Sequence, residues 1–190
     1  DIDDFEVPED GASVVAMRMT EEAEDREEDA QEETEEEEGE EEAEDGEDDE
    51  GEDEADGQPL LVVRLDGDRS PVRVDDVTDY AFTQEGDALY LVTNDEAETD
   101  GVHRMDPQTG ALTTLLAGSG RYLGLEVSTG DEGTGAVAFM SDVADVAAEA
   151  EMPGMALYVA DSGGGEARLL VPTTTEAFPD GWGVSEHGDL

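Results

Sequence analysis

The chain of 190 residues contains 57 Asp or Glu and eight Arg, with neither Lys nor Cys, so its formal net charge is −49. Without Cys it can form no disulfide, no thiolate metal site and no Cys nucleophile. A charge of this sign excludes nucleic acid and anionic lipid as expected partners, because both are negatively charged themselves. No apolar run approaches the roughly 18 residues of a membrane-spanning helix, so we expect no membrane partner either.

The most acidic segment is residues 21–57, which holds 26 acidic residues and one Arg, and no aromatic or branched aliphatic side chain. Such a segment cannot bury enough apolar surface to offset the entropy lost on ordering, so we predict that it is disordered. Its stretch Asp48–Asp53 is similar to a calcium loop, but the required Glu at the twelfth position between two helices is missing. We interpret the segment as a solvated loop; weak cation association or a partner-binding acidic tail is the alternative.

The remaining acidic residues are spread over predicted turns and solvent-facing strand positions. An even acidic surface with Arg in place of Lys is typical of a protein from a high-salt environment. At molar salt the Debye length is about 3 Å, so the self-repulsion of such a surface is screened. The residues that we place at these positions include Asp66, Asp68, Asp75, Asp76, Asp95, Asp100 and Asp106.

A recurring pattern organises the rest of the chain. In each copy an apolar residue precedes Ser, Thr or Pro and a polar turn that ends in Gly, and an apolar run follows the first three copies. Gly supplies the positive φ of a tight turn, so each of these copies predicts a hairpin. The copies are Asp4–Gly11, Asp79–Gly86, Leu125–Gly130 and Gly181–Gly188, and the runs are Ser13–Met17, Ala88–Val92 and Ala136–Met140.

A second hairpin follows each of the first three. In the clearest one, Pro107 presets φ at the second position of the turn and Gly110 closes it. Each unit therefore has four short strands, and the Ala- and Glu-containing segment Val143–Gly154 is expected to form a helical turn. The paired strands are Pro59–Leu65 with Ser70–Val74, Val102–Met105 with Ala111–Leu116, and Ala156–Ala160 with Ala167–Val171.

The spacing of these units predicts the fold. Between Val7, Phe82, Val127 and Val184 the spacings are 37 residues once Thr20–Gly57 is set aside, then 45, then 57 with a longer loop from Val143 to Gly154. Units of about 40–45 residues with four strands each are typical of propeller blades. A β-sandwich also has short strands and regular turns, but it does not require a fixed period. We therefore predict an all-β partial β-propeller of about three four-stranded blades plus the first strand of a fourth, with the disordered acidic insertion inside blade 1. The predicted blades are 4–76, 79–117, 123–172 and, for its start only, 181–190.

The predicted ring is incomplete. About three blades cannot close a ring of four to eight blades, so we expect residues 1–190 to be a fragment of one propeller domain in a longer protein. Asp1 and Leu190 are then interpreted as cut ends.

Several segments, in their order along the chain, resemble the N-terminal propeller of bacterial prolyl oligopeptidase-family serine peptidases of the dipeptidyl aminopeptidase or acylaminoacyl-peptidase type. In that family a Gly-x-Gly-[Lys/Arg]-Tyr step precedes a blade, as in Gly118–Tyr122, and Phe-x-Ser-Asp ends a second strand, as in Phe139–Asp142. The resemblance spans residues 59–190 and, weakly, 4–20. Its other segments are Val77–Gly86, Asp100–Val102 and Ala156–Tyr158.

The resemblance implies a function for the parent protein. That protein would hydrolyse peptides by acyl transfer in a C-terminal α/β-hydrolase domain of the same polypeptide, while the propeller filters peptide substrates by size. A secreted or periplasmic location is also implied. The Gly-x-Ser-x-Gly elbow is absent around Ser119 and Ser162, so we assign no catalytic residue here, and we predict no cofactor and no metal site. The alternative is a stand-alone propeller module that docks a protein or glycan partner.

Few other residues suggest chemistry. His103 and His187 lack a defined carboxylate spacing, so we predict surface residues in preference to metal ligands. Tyr80 and Trp182 occupy predicted packing positions of first strands.

The loop that enters the third unit carries Arg121 and Tyr122. We expect both residues to have a structural role. The alternative is that they bind the terminus of a peptide substrate. Gly118–Arg121 precedes no predicted helix N-terminus, so it does not predict a phosphate loop.

Overall fold

The computed structural model describes residues 2–10, 13–20, 57–65, 70–94, 100–128, 136–150, 153–161, 163–173 and 184. These residues form an all-β fold with two antiparallel sheets, of seven and four strands, in which strands adjacent in the chain are adjacent in the sheet. The predicted all-β class is confirmed. The larger sheet contains β1 (Ile2–Glu6), β2 (Val14–Met19), β3 (Gln58–Arg64), β4 (Val72–Phe82), β5 (Leu89–Thr93), β6 (Gly101–Asp106) and β7 (Ala111–Ala117). The smaller sheet contains β8 (Tyr122–Val127), β9 (Ala136–Ser141), β10 (Ala156–Asp161) and β11 (Arg168–Val171), and the helix α1 (Val143–Ala147) follows β9.

Strand β4 belongs to two successive meanders. Its first part, Val72–Val74, pairs with β3, and its last part, Asp79–Phe82, pairs with β5. We call β1–β3 with the first part of β4 the first meander, the last part of β4 with β5–β7 the second meander, and β8–β11 the third meander. The sequence predicted two separate strands here, whereas the structure has one continuous strand of 11 residues.

A local bend explains why β4 continues. Asp76 has a φ of +58°, in the left-handed region that Asp tolerates better than most residues. The register of β4 shifts against β3 between Val74 and Val77, and against β5 between Val77 and Asp79. The Asp76 carbonyl oxygen accepts a hydrogen bond from the Asn94 N–H at 3.0 Å. A side chain at Gly57 would place Cβ 2.4 Å from the Asp76 carbonyl carbon, so only Gly fits beside the bend.

The second meander is buried on both of its faces. In β5, Leu89 and Leu91 belong to the core shared with the first meander, while Tyr90 and Val92 belong to the core shared with the third. A strand covered on both sides needs apolar residues at every position, which accounts for the continuous run from Ala88 to Val92. The first core contains Val14, Ala16, Leu60, Val62, Val77, Tyr80, Phe82, Leu89, Leu91 and Met105. The second core includes Tyr90, Val102, Leu115, Tyr122, Leu125, Val137, Phe139 and Tyr158.

The first strands of the three meanders lie side by side. Tyr80 on β4 donates a hydrogen bond from its hydroxyl to the Asp4 carboxylate on β1, at 3.3 Å. The Phe82 N–H donates to the Glu6 carboxylate at 3.2 Å. Strand β8, the first strand of the third meander, contacts β4 and β5 of the second meander. Burial raises the pKa of Glu6 and the pKa of Tyr80, the latter to about 12, so the tyrosine remains a hydrogen-bond donor at neutral pH.

Arg18 on β2 links the first two meanders. Its guanidinium carbon lies 5.2 Å from the centre of the Tyr80 ring, and one of its N–H groups donates to the Thr78 carbonyl at 3.4 Å. We expect Arg18→Met to lower the free energy of unfolding by about 1–2 kcal/mol, because a cation–π contact and a hydrogen bond are lost together.

Urea denaturation would measure this effect, with Arg73→Met as the matched control. Arg73 forms an exposed ion pair with Asp75, and such pairs contribute about 0–1 kcal/mol. Equal losses for the two variants would show that the contact with Tyr80 contributes nothing specific.

Candidate functional site

The two segments that carry the resemblance meet where the second meander passes into the third. The Arg121 side chain places Nε 3.1 Å from Asp142 Oδ2, and the Arg121 backbone N–H donates to Asp142 Oδ1 at 2.8 Å. Asp142 is only 4% exposed, whereas the Arg121 side chain is 38% exposed. One carboxylate therefore holds both the backbone and the side chain of Arg121, and it joins the β7–β8 connection to the end of β9.

Two glycines allow this connection to approach α1 closely. A Cβ on Gly120 would lie 2.8 Å from Asp142 Oδ1 and 2.9 Å from the Val143 Cα atom. Gly118 has a φ of +145°, and a Cβ there would lie 2.7 Å from a Val143 methyl group. The Gly-x-Gly step is thus required by close packing against the first residues of α1.

Tyr122 completes the connection. Its hydroxyl donates to the Gly118 carbonyl at 2.8 Å, and burial raises its pKa, with the Asp100 carboxylate adding to the effect. The nearby Ser141 hydroxyl oxygen accepts the Val143 N–H at 3.1 Å. Tyr122 is therefore a protonated, structural residue and cannot serve as a base at neutral pH.

A cavity of about 320 Å³ lies beside the ion pair. It is lined by Asn94, Asp100, Ser119, Gly120, Arg121, Asp142 and Val146. Asp100 is buried here, so its predicted solvent-facing position is wrong. The reason is local: the Asp100 carbonyl accepts the Gly118 N–H at 3.0 Å, which draws this residue under the β7–β8 connection. The lining offers hydroxyl, amide, guanidinium and carboxylate groups, which suit a small polar ligand.

The remaining predicted positions are dispersed. Tyr80 packs in the first core, as predicted. Ser119 lies at the cavity, exposed to solvent. In the described ranges no group of three or more His, Asp or Glu side chains is arranged to hold a metal ion. Residues 21–56, Ser162, Trp182, His187 and the start of the predicted fourth blade, apart from Val184, lie outside the described residues.

His103 on β6 is held between two threonines. Its Nε2 lies 3.1 Å from Thr93 Oγ1 and its Nδ1 lies 3.1 Å from Thr114 Oγ1. Burial lowers the pKa of His103 below its ordinary value of 6.5, so the ring is neutral at pH 7. His103 therefore links β5, β6 and β7. It is half-buried, whereas the sequence predicted a surface residue.

Because its pKa is lowered, His103 contributes to the free energy of unfolding by an amount that depends on pH. The unfolded chain binds a proton at His103 more readily than the folded chain does, so the contribution is complete above pH 6.5 and is lost as the pH falls through the folded value. We expect the stability advantage of the wild type over His103→Gln to shrink below pH 6.5, as measured by urea denaturation at molar salt. An advantage that stays constant with pH would contradict a buried neutral imidazole.

The Arg121–Asp142 pair should matter for stability. Asp142→Asn keeps the shape of the side chain but removes the charge and leaves Arg121 without its carboxylate. We expect a loss of about 2–3 kcal/mol, below the usual cost of breaking a fully buried pair because Arg121 is partly solvated. The urea midpoint of this variant would be compared with that of Asp75→Asn, whose pair with Arg73 is exposed. A loss no larger than that of Asp75→Asn would contradict this account.

Comparisons with known proteins do not identify a family for this chain. No protein-family model matches the chain, and no curated protein matches it significantly. Within the described residues, no helix has the length and apolar character needed to cross a bilayer.

Proposed function

We propose that the chain is a non-catalytic propeller portion of a prolyl oligopeptidase-family serine peptidase. In this proposal the parent protein hydrolyses peptides in an α/β-hydrolase domain of the same polypeptide, and the propeller limits which peptides reach the active site. The observation that carries the proposal is that the two parts of the seven-stranded sheet, the first and second meanders, share one apolar core, while the second meander shares another with the four-stranded sheet. Radial repetition of such units is the architecture of a propeller.

The burial of the second meander favours a propeller over a sandwich. A two-layer sandwich covers only the inner face of each sheet, so its strands alternate between apolar and polar residues. Here Leu89 and Leu91 are covered from one side, and Tyr90 and Val92 from the other. A middle layer of this kind is expected for every blade that has a neighbour on each side.

The two motifs of the resemblance, Gly118–Tyr122 and Phe139–Asp142, contact each other. The Arg121–Asp142 pair joins them. Their role at this junction is to fix one meander against the next. This structural role is consistent with a propeller portion that positions blades and contributes no catalytic residue.

The test is to express the protein encoded by the uninterrupted reading frame and to treat it with a fluorophosphonate, which labels activated serines. We expect labelling of a serine outside residues 1–190, together with hydrolysis of a chromogenic peptide that is lost when that serine is replaced. The chain of 190 residues should show neither property, because its sequence contains no Gly-x-Ser-x-Gly segment. An unlabelled, inactive protein, or a labelled serine within this chain, would overturn the proposal.

A stand-alone binding module is the second candidate, favoured by the cavity of about 320 Å³ beside Arg121. Such a module would dock a protein or glycan partner without an attached enzyme. A reading frame that ends after the last blade, with no Gly-x-Ser-x-Gly segment, would favour this candidate over the peptidase.

A further inference from the structure

Two acidic side chains connect the first strands of neighbouring meanders. The Glu6 carboxylate on β1 accepts the Phe82 N–H of β4 at 3.2 Å. The Asp79 carboxylate on β4 accepts the Leu125 N–H of β8. In the sheets formed by the described residues, β1 is not paired with β4, and β4 is not paired with β8. We call Glu6 and Asp79 the bridging carboxylates, because each supplies a hydrogen bond where no strand ladder does.

The alternation of side chains along a strand explains how both carboxylates reach the next meander. Asp4 accepts the Tyr80 hydroxyl, so Asp4 and Glu6 lie on the side of β1 that faces β4. Ala81 packs against the core shared with the third meander, and Asp79, two residues earlier, lies on the same side of β4. Both contacts therefore join meanders within this chain, and neither depends on what packs beyond the first or the third meander.

The charges around the bridging carboxylates are mostly of the same sign. Asp4 and Asp79 both oppose the ionisation of Glu6, and Glu126 on β8 opposes that of Asp79. Arg18 on β2 acts in the opposite direction on Asp79. The Arg18 Nε atom, however, is buried and forms no hydrogen bond within the described residues. The cation therefore offsets only part of the repulsion among these carboxylates.

Burial adds to this repulsion. Both bridging carboxylates are half-buried, so their ionised forms lose part of their hydration. Burial is the main cause that raises the pKa of Glu6 above its ordinary value of 4.5 and the pKa of Asp79 above 3.8, although backbone N–H groups favour the ionised forms. Tyr80 also faces Glu6, but its pKa of about 12 keeps it neutral. Each bridging carboxyl group therefore binds a proton more readily in the folded chain than in the unfolded chain.

We propose that protonation of Glu6 and Asp79 strengthens the contacts between the first strands, so that mild acid stabilises both junctions between meanders. A neutral carboxyl group keeps a carbonyl oxygen that accepts the N–H, while the repulsion and the cost of burying a charge disappear. The resulting stabilisation is absent well above the raised pKa values and grows as the pH falls toward 4.5 and 3.8. The proposal is independent of the peptidase assignment, since it concerns contacts within the chain.

The test uses the double variant Glu6→Gln/Asp79→Asn, in which each amide keeps an acceptor oxygen and carries no charge. Urea midpoints are measured by circular dichroism in molar NaCl, at about pH 7.5 and about pH 5.0. Exposed charges are largely screened at this salt concentration, whereas partly buried charges are screened much less. His103 is present in both proteins, so its own dependence on pH cancels in the comparison.

We expect the double variant to be more stable than the wild type at the higher pH, because it already resembles the protonated state. This advantage should shrink at the lower pH, by at least about threefold in the ratio of the two unfolding equilibrium constants. Glu6→Gln alone should show the same change to a smaller extent. Asp75→Asn is the matched control, since it removes an exposed carboxylate elsewhere on β4. Its difference from the wild type should be the same at both pH values.

Three results would overturn the proposal. A double variant that is less stable than the wild type at the higher pH would show that the ionised carboxylates hold the first strands together better than neutral groups do. A difference between the two proteins that does not change with pH would show that these groups do not titrate in this range. An equal change for Asp75→Asn would assign the effect to the general surface charge.

Discussion

Gly101→Ala should destabilise the fold by about 3–5 kcal/mol, among the largest effects expected of any single substitution. Gly101 begins β6, is buried, and has a φ of +153° that side chains rarely adopt. A Cβ at this position would lie 2.0 Å from the Leu116 carbonyl oxygen and 2.9 Å from the Ala117 Cα atom. Both are backbone atoms of β7, so the clash can be relieved only by separating two paired strands.

The measurement is urea denaturation at molar salt, followed by circular dichroism. Gly163→Ala is the matched control, because a Cβ at Gly163 meets nothing within 4 Å. We expect the control to change stability by less than about 0.5 kcal/mol. Comparable stability of Gly101→Ala and Gly163→Ala would show that β6 and β7 are not paired as described.

Salt should have the second large effect. At 0.1 M ionic strength the Debye length is about 10 Å, so the carboxylates of a chain with a net charge of −49 repel across the whole surface. Glu6 and Asp79, whose pKa values are raised by burial, add an internal cost of ionisation. We expect molar NaCl to raise the free energy of unfolding by more than about 3 kcal/mol. This gain is larger than the loss that most single substitutions cause.

Two comparisons isolate the screening of charge. Sucrose, which is excluded from protein surfaces but screens nothing, should stabilise the chain far less than NaCl does. Deletion of residues 21–57 removes 26 acidic residues and one Arg, a net of −25, and should lower the salt requirement. If these residues form a solvated loop, as the sequence predicts, removing them should itself change stability by only about 1–2 kcal/mol. A strand signal and a urea midpoint unchanged from dilute buffer to molar salt would contradict the high-salt interpretation.

Local sequence patterns predicted most of the strands because turns and strand periods are local properties. The turn Asp106–Gly110 marked the β6–β7 hairpin through its Pro and Gly. The alternating and continuous apolar runs marked β2, β5 and β9. The sequence predicts two strands where the structure has the single strand β4. No local signal shows that Asp76 adopts a positive φ and that the strand continues through it.

The candidate site was less predictable because it depends on contacts between distant segments. Arg121 and Asp142 are 21 residues apart, and each appeared only within its own motif. The burial of Asp100 follows from the fold of the β7–β8 connection, which composition does not reveal. One signal was present: two glycines flank Ser119 immediately before an Arg, which indicates close backbone packing at that point.

We propose that this chain forms consecutive blades of a peptidase propeller, and a crystal structure of the protein encoded by the complete reading frame would test this proposal. We expect the three meanders to be neighbouring blades of a closed ring, with β1, the last part of β4, and β8 innermost. A hydrolase domain with a Ser, Asp and His triad should cover one end of the ring. A two-layer sandwich, or a ring with no hydrolase domain, would contradict the account.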